Sequence, residues 1–102
     1  MKYHQNPGPD LAFDATCTDV PEEVTSSALR VLTPAGVEVL WSTSVVSQDG
    51  RTRVLRHVFV KDVDLILPGL YVVGAEHTMP SGAPLKSKDT FTFRVVPWNV
   101  DL

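Results

Sequence analysis

A single cysteine, Cys17, occurs among 102 residues, so no internal disulfide forms and the fold rests on its core alone. Metal-ligand spacing is missing as well. Structural zinc takes four nitrogen or sulfur ligands, usually in close pairs, whereas His4, His57 and His77 make no His-x-His or His-x-x-x-His. A joint site for His57 and His77 needs a third ligand from Asp49, Asp62 or Glu76; the simpler reading is one partly buried His and one His at a strand end. Positive charge is scarce: nine Lys and Arg against twelve Asp and Glu give -3, with no basic run. That excludes a nucleic-acid face and disfavours an anionic membrane surface. The longest apolar stretch, Leu65 to Ala75, is broken by Pro68 and Gly69 and falls far short of the roughly 20 residues of a membrane helix. The start, MKYHQNPGPD, has neither the apolar core nor the small-residue cleavage site of an export signal. The expectation is a soluble chain made in a reducing cytoplasm.

Motifs for catalysis are also absent. No Gly-x-Ser-x-Gly elbow and no phosphate-cradling loop is present. Cys17 alternates with apolar neighbours and reads as a buried, inert thiol. Glu22, Glu23, Asp62 and Asp64 read as acidic loop residues facing solvent rather than as paired catalytic carboxylates. The expectation is therefore no enzyme, no cofactor and no metal.

What the chain does have is strands. DLAFDATC places Leu11, Phe13, Ala15 and Cys17 on one face, a period of two. ALRVLT leads into a turn at Pro34 and Gly36, and VEVLWSTSVV ends at Asp49-Gly50, a hairpin signal. RTRVLRHVFV answers with Leu55, His57 and Phe59 as the inward set, against a competing face of Val54, Val58 and Val60. YVVGAEH and TFTFRVV follow, the second with Phe91, Phe93 and Val95 inward. About seven short antiparallel strands with turn signals at regular spacing predict an all-β, immunoglobulin-like β-sandwich. LPGLY, with Tyr71 entering a late strand after a Pro-Gly corner, has the form of a tyrosine corner in such folds, so Tyr71 is expected to be a fold device.

The expected core is Leu11, Phe13, Val31, Val39, Trp41, Leu55, Phe59, Tyr71, Val73, Phe91, Phe93 and Val95. The sandwich domain spans residues 10–96. It lies between an extended arm over residues 1–9, with Pro7 and Pro9, and a tail over residues 97–102. The tail either folds back or docks on a neighbour. Aromatic side chains anchor interfaces disproportionately, which makes Trp98 its centre. The candidate interface residues are Tyr3, His4, Pro7, Pro9, Pro97, Trp98, Val100 and Leu102.

The stretches GPDLAF, LRVLTPAGVEV, SQDG, LPGLYVV and TFRV, in this order, resemble small immunoglobulin-like structural proteins of tailed bacteriophages. Asp10 follows Gly8-Pro9, and the middle Pro of the family's starting pattern is missing. The resemblance implies a non-enzymatic virion structural protein, a neck, tail, adaptor or capsid-decoration component. It would dock in many copies on a symmetric assembly, with other virion proteins (capsid, portal or tail) and copies of itself as partners. Its location would be the virion, after synthesis in the host cytoplasm. The alternative is a carbohydrate-binding or other ligand-binding β-sandwich module, for which Trp41 and Trp98 would supply exposed aromatics. Copper-resistance proteins also use small sandwiches, but that type looks for an amino-terminal His and a His pair, and this sequence offers neither.

Overall fold

The computed structural model describes residues 1–100 and is all-β. In chain order the strands are β1 (Lys2–His4), β2 (Ala12–Cys17), β3 (Ser26–Leu32), β4 (Glu38–Ser42), β5 (Ser44–Asp49), β6 (Thr52–Val58), β7 (Gly69–Thr78) and β8 (Pro84–Val96). They form two sheets, β1-β8-β7-β3-β4 and β2-β6-β5, packed as an immunoglobulin-like sandwich. The expected Asp49-Gly50 hairpin joins β5 to β6, with Gly50 at φ 58° where a left-handed residue is required and Asp49 opposite Thr52.

The period-two patterns select the buried set. Phe13, Ala15 and Cys17 from β2, Leu29 and Val31 from β3, Leu55 from β6 and Phe59 just beyond it are all buried. So are Tyr71, Val73 and Ala75 from β7, and Phe93 and Val95 from β8. Of the two competing faces of β6, Leu55, His57 and Phe59 point inward, while Val58 and Val60 stay exposed. Three expected core residues differ. Leu11 precedes β2 and is 47% exposed, Val39 on edge strand β4 is 38% exposed, and Phe91 is only partly buried against the cluster. Strand β4 ends its sheet and has a neighbour on one side only, which leaves the inward position of Val39 partly uncovered.

The stretch expected to be an extended arm is instead strand and clamp. Lys2, Tyr3 and His4 pair with Arg94, Val95 and Val96 of β8, and this pairing is parallel, in contrast to the antiparallel sheet expected. Tyr3 inserts its ring edge-on to Phe59 and Phe93, at centroid distances of 5.0 and 5.2 Å. Pro7 is buried and Pro9 is exposed. Just before Pro7, Gln5 and Asn6 grip the β6–β7 connection. Asn6 N donates to Leu65 O at 2.9 Å, the Asn6 amide exchanges two bonds with Asp62, and Gln5 Nε2 donates to Ile66 O at 2.6 Å. Those contacts hold Asp62 and Leu65 in left-handed conformations, φ 65° and 46°, that side chains otherwise avoid. Tyr71 closes the same connection from the other end: its hydroxyl donates to Leu67 O at 2.7 Å.

Gly69 opens β7 at φ 131°, and a Cβ there would meet Pro34 side-chain carbons at 2.9 Å. The Pro34 turn and the Pro68-Gly69 corner are therefore packed in direct contact.

Cys17 is fully buried, and burial followed by the negative charge of Asp89 pushes its thiol up to about 11. An unfolded thiol ionises near pH ~8.5. Between that pH and about 11 the unfolded chain has released a proton that the native chain retains. The stabilisation is complete below the unfolded value and is lost as pH rises through this window. The stability advantage of the wild type over Cys17→Ala, measured by urea unfolding, should shrink as pH rises across it. A constant difference would contradict this burial of the thiol.

Candidate functional site

One end of the sandwich is open. Edge strand β4 and the β3–β4 turn form one lip, the β6–β7 connection forms the other, and a groove of about 400 Å³ runs between them. Val37, Val39 and Leu40 line the first lip and Val63, Ile66 and Leu67 the second; all six are at least 38% exposed. Surface apolar residues scattered singly are normal, but six lining one concavity are not. Trp41 and Tyr71 contribute buried walls.

The floor is polar. Asp64 lines the groove, is 7% exposed, and places Oδ2 2.7 Å from His57 Nε2. Val60 N donates to the same oxygen at 2.9 Å. The other imidazole nitrogen, Nδ1, lies 2.7 Å from Ser42 O. Both ring nitrogens thus lie within hydrogen-bond distance of an oxygen, which satisfies the buried ring. The His57 ring stacks on Trp41 at a centroid distance of 4.4 Å with 12° between planes. Trp41 in turn stands edge-on to Phe59 at 5.7 Å, so the pair is locked from behind by the aromatic core. Asp64 Oδ1 accepts no bond among the described residues, leaving one acceptor at the groove floor.

His57 and Asp64 lie seven residues apart across the strand end. The inward phase of His57 was legible in the sequence, and a buried imidazole requires partners. Asp64 was expected to face solvent among acidic loop residues. It is buried because Asp64 N bonds Val60 O at 2.9 Å, which folds the connection back over β6.

The interface candidates are scattered. Tyr3 packs within the sandwich, and His4 Nε2 lies 2.7 Å from Val100 O, so the tail crosses its own β1. Pro9, Pro97 and Val100 are exposed. Trp98 is 77% exposed and borders a second hollow of about 390 Å³ with Gln5, Asn6 and Lys61. Leu102 lies outside the described residues. The pair Trp41 and Trp98 does not form the expected row of exposed aromatics, because Trp41 is buried beneath the groove. His57 and His77 are not brought to a common site: His57 binds Asp64, whereas His77 binds Ser27. Among the described residues no group of three His, Cys, Asp or Glu side chains is placed to hold a metal ion.

No family model matches this chain, and no curated protein matches it. Among solved structures it is similar to CopC from Methylosinus trichosporium OB3b, at 17% identity over 99% of this chain and 86% of that one, with a TM-score of 0.50. At that identity the likeness concerns the fold alone. It nevertheless overturns the expectation of a virion structural protein, with its phage, capsid-decoration and tail descriptions. The same sandwich, matched nearly end to end, belongs to a protein of that organism and not to a phage particle. A resemblance resting on sandwich signals therefore does not single out phage proteins.

Removing the Asp64 carboxylate strands His57 Nε2 and Val60 N in a buried position. Asp64→Ala should lower stability by about 3–5 kcal/mol in urea unfolding, the usual cost of breaking a buried pair from one side. A loss below about 1 kcal/mol, the range of exposed pairs, would contradict the buried floor described above.

Proposed function

We propose that this protein is a ligand-binding β-sandwich that takes a small amphipathic molecule into the groove between β4 and the β6–β7 connection, with no bond made or broken. The observation that carries the reading is the groove itself: about 400 Å³, walled by exposed aliphatic side chains over a single buried carboxylate. Small-molecule sites fall in the range of roughly 300–1,000 Å³ and combine apolar walls with a few convergent polar groups. The aliphatic walls suit an apolar body. Asp64 Oδ1, at the floor, suits a hydrogen-bond-donating head.

The test uses the environment-sensitive probe 1-anilinonaphthalene-8-sulfonate with the full chain. The wild type should give a saturable, one-to-one fluorescence increase. Leu40 is 61% exposed, so Leu40→Glu keeps the fold while placing a negative charge, which repels the sulfonate of the probe, on the groove wall. It should weaken probe binding at least about tenfold, equivalent to ~1.4 kcal/mol. Undiminished binding in Leu40→Glu would exclude the groove as the site.

The exposure of Trp98 favours a second reading, a saccharide stacked on that ring beside Gln5 and Lys61. Gln5 Oε1 and the Lys61 ammonium accept or make no side-chain bond among the described residues. Affinity electrophoresis in soluble polysaccharide separates the two readings: retardation that disappears in Trp98→Ala, with probe binding intact, identifies the tail hollow.

A further inference from the structure

Among the described residues, Asp64 is the one charged side chain lining the groove: no Lys, Arg or His does so. The remaining polar side chains there are uncharged. The Tyr71 hydroxyl is spent on Leu67 O, Thr33 Oγ1 accepts from Val37 N at 3.3 Å, and the Trp41 indole offers one N–H. The aliphatic walls thus enclose a single fixed charge, and it is negative.

That carboxylate is used unevenly. His57 Nε2 and Val60 N both meet Oδ2, at 2.7 and 2.9 Å. Oδ1 meets no partner among the described residues, yet it is not sealed in. The side-chain atoms that are both fully buried and unpartnered are Arg53 Nε and His77 Nε2. Oδ1 therefore keeps contact with solvent, in a residue that is 7% exposed and lines the groove. His57 touches the other oxygen and does not line the groove.

Three kinds of head group are open to an amphipathic ligand here. An anionic head would set like charge against Asp64, with no basic side chain on the walls to hold it. A hydroxyl head would make one neutral-donor bond to Oδ1. An ammonium head would make the same bond with charge on both partners, and such bonds are roughly twice as strong as neutral ones. Apolar walls strengthen that attraction further, because they lower the local dielectric.

We propose that the groove binds a primary aliphatic amine in its protonated form, with the alkyl chain along the aliphatic walls and the ammonium bonded to Asp64 Oδ1. The inference rests on the reading of the groove as a ligand site and adds the chemical class of the ligand. A free amine of this kind ionises near pH ~10.4, as a lysine does, so it carries its charge at neutral pH.

The experiment titrates the full chain at neutral pH with octylammonium chloride, octanol or sodium octanoate, each below its micelle-forming concentration. Affinities are read from the methyl signals of Val39 and Leu67. Octylammonium should bind at least tenfold tighter than octanol, and octanoate weakest of the three. Trimethyloctylammonium, which keeps the charge without an N–H, should bind at least severalfold more weakly than octylammonium. In Asp64→Asn the amide oxygen takes the place of Oδ2, because Val60 N–H needs an acceptor there, and the NH2 group replaces Oδ1. This variant should lose at least tenfold in affinity for octylammonium and keep octanol within a few fold. Should Asp64→Asn not fold, the wild-type series decides alone. Equal affinities across the series, tightest binding of octanoate, or an octylammonium affinity unchanged in Asp64→Asn would overturn the ammonium head and leave the groove standing. No saturable shift of the groove methyls with any of the ligands would remove the groove reading, and this inference with it.

Discussion

Phe93 is the residue around which the sandwich closes. Its ring is 5.2 Å from Phe13 on the opposite sheet, 5.2 Å from Tyr71 on the neighbouring strand and 5.2 Å from Tyr3 on β1. A fourth aromatic, Trp41, stacks 6.3 Å away from edge strand β4. Four chain segments distant in sequence are thereby fixed to one side chain, through aromatic pairs that add about 0.5–1.5 kcal/mol each beyond area burial. In a chain with no disulfide, deletion of one such ring typically costs about 3–5 kcal/mol, a large part of a domain's net stability.

The groove is a consequence of that arrangement. Trp41 is drawn inward toward Phe93, and its outer neighbours on β4, Val39 and Leu40, are left without a covering strand. On the opposite lip, Tyr71 and Asn6 pin the β6–β7 connection at Leu67 and Leu65, so that it stands away from β4 instead of collapsing onto it. His57 fills the space beneath, stacked on Trp41 and bonded to Asp64. The apolar walls and the polar floor are therefore held by the same aromatic cluster that holds the fold. On the outer surface of the larger sheet, Arg30 bridges Glu38 and Glu76 on flanking strands; such exposed pairs add little to stability.

Much of the fold was legible because its signals are local. Alternation in TFTFRVV, the Asp49-Gly50 turn and the Pro-Gly corner before Tyr71 each depend on a few adjacent residues. The pairing of β1 was not legible: three residues, Lys2 to His4, carry too short a pattern, and their parallel partner lies more than ninety positions away. Position at a sheet edge decided Val39, which has the correct phase for the core but no strand beyond it. The candidate site was hidden for a related reason. Its two lips come from separate stretches, and Asp64 reads as solvent-facing until a turn of backbone folds it over β6. The buried Ser27–His77 contact likewise depends on register between β3 and β7, which alternation alone does not supply.

The most direct measurement is methyl-selective NMR of the valines and leucines during titration with 1-anilinonaphthalene-8-sulfonate. Shifts confined to Val37, Val39, Leu40, Val63 and Leu67, with Val45 and Val46 on the exposed β5 edge unmoved, are what a ligand-binding groove predicts. Shifts centred on β5, or spread evenly over all exposed methyls, would contradict it.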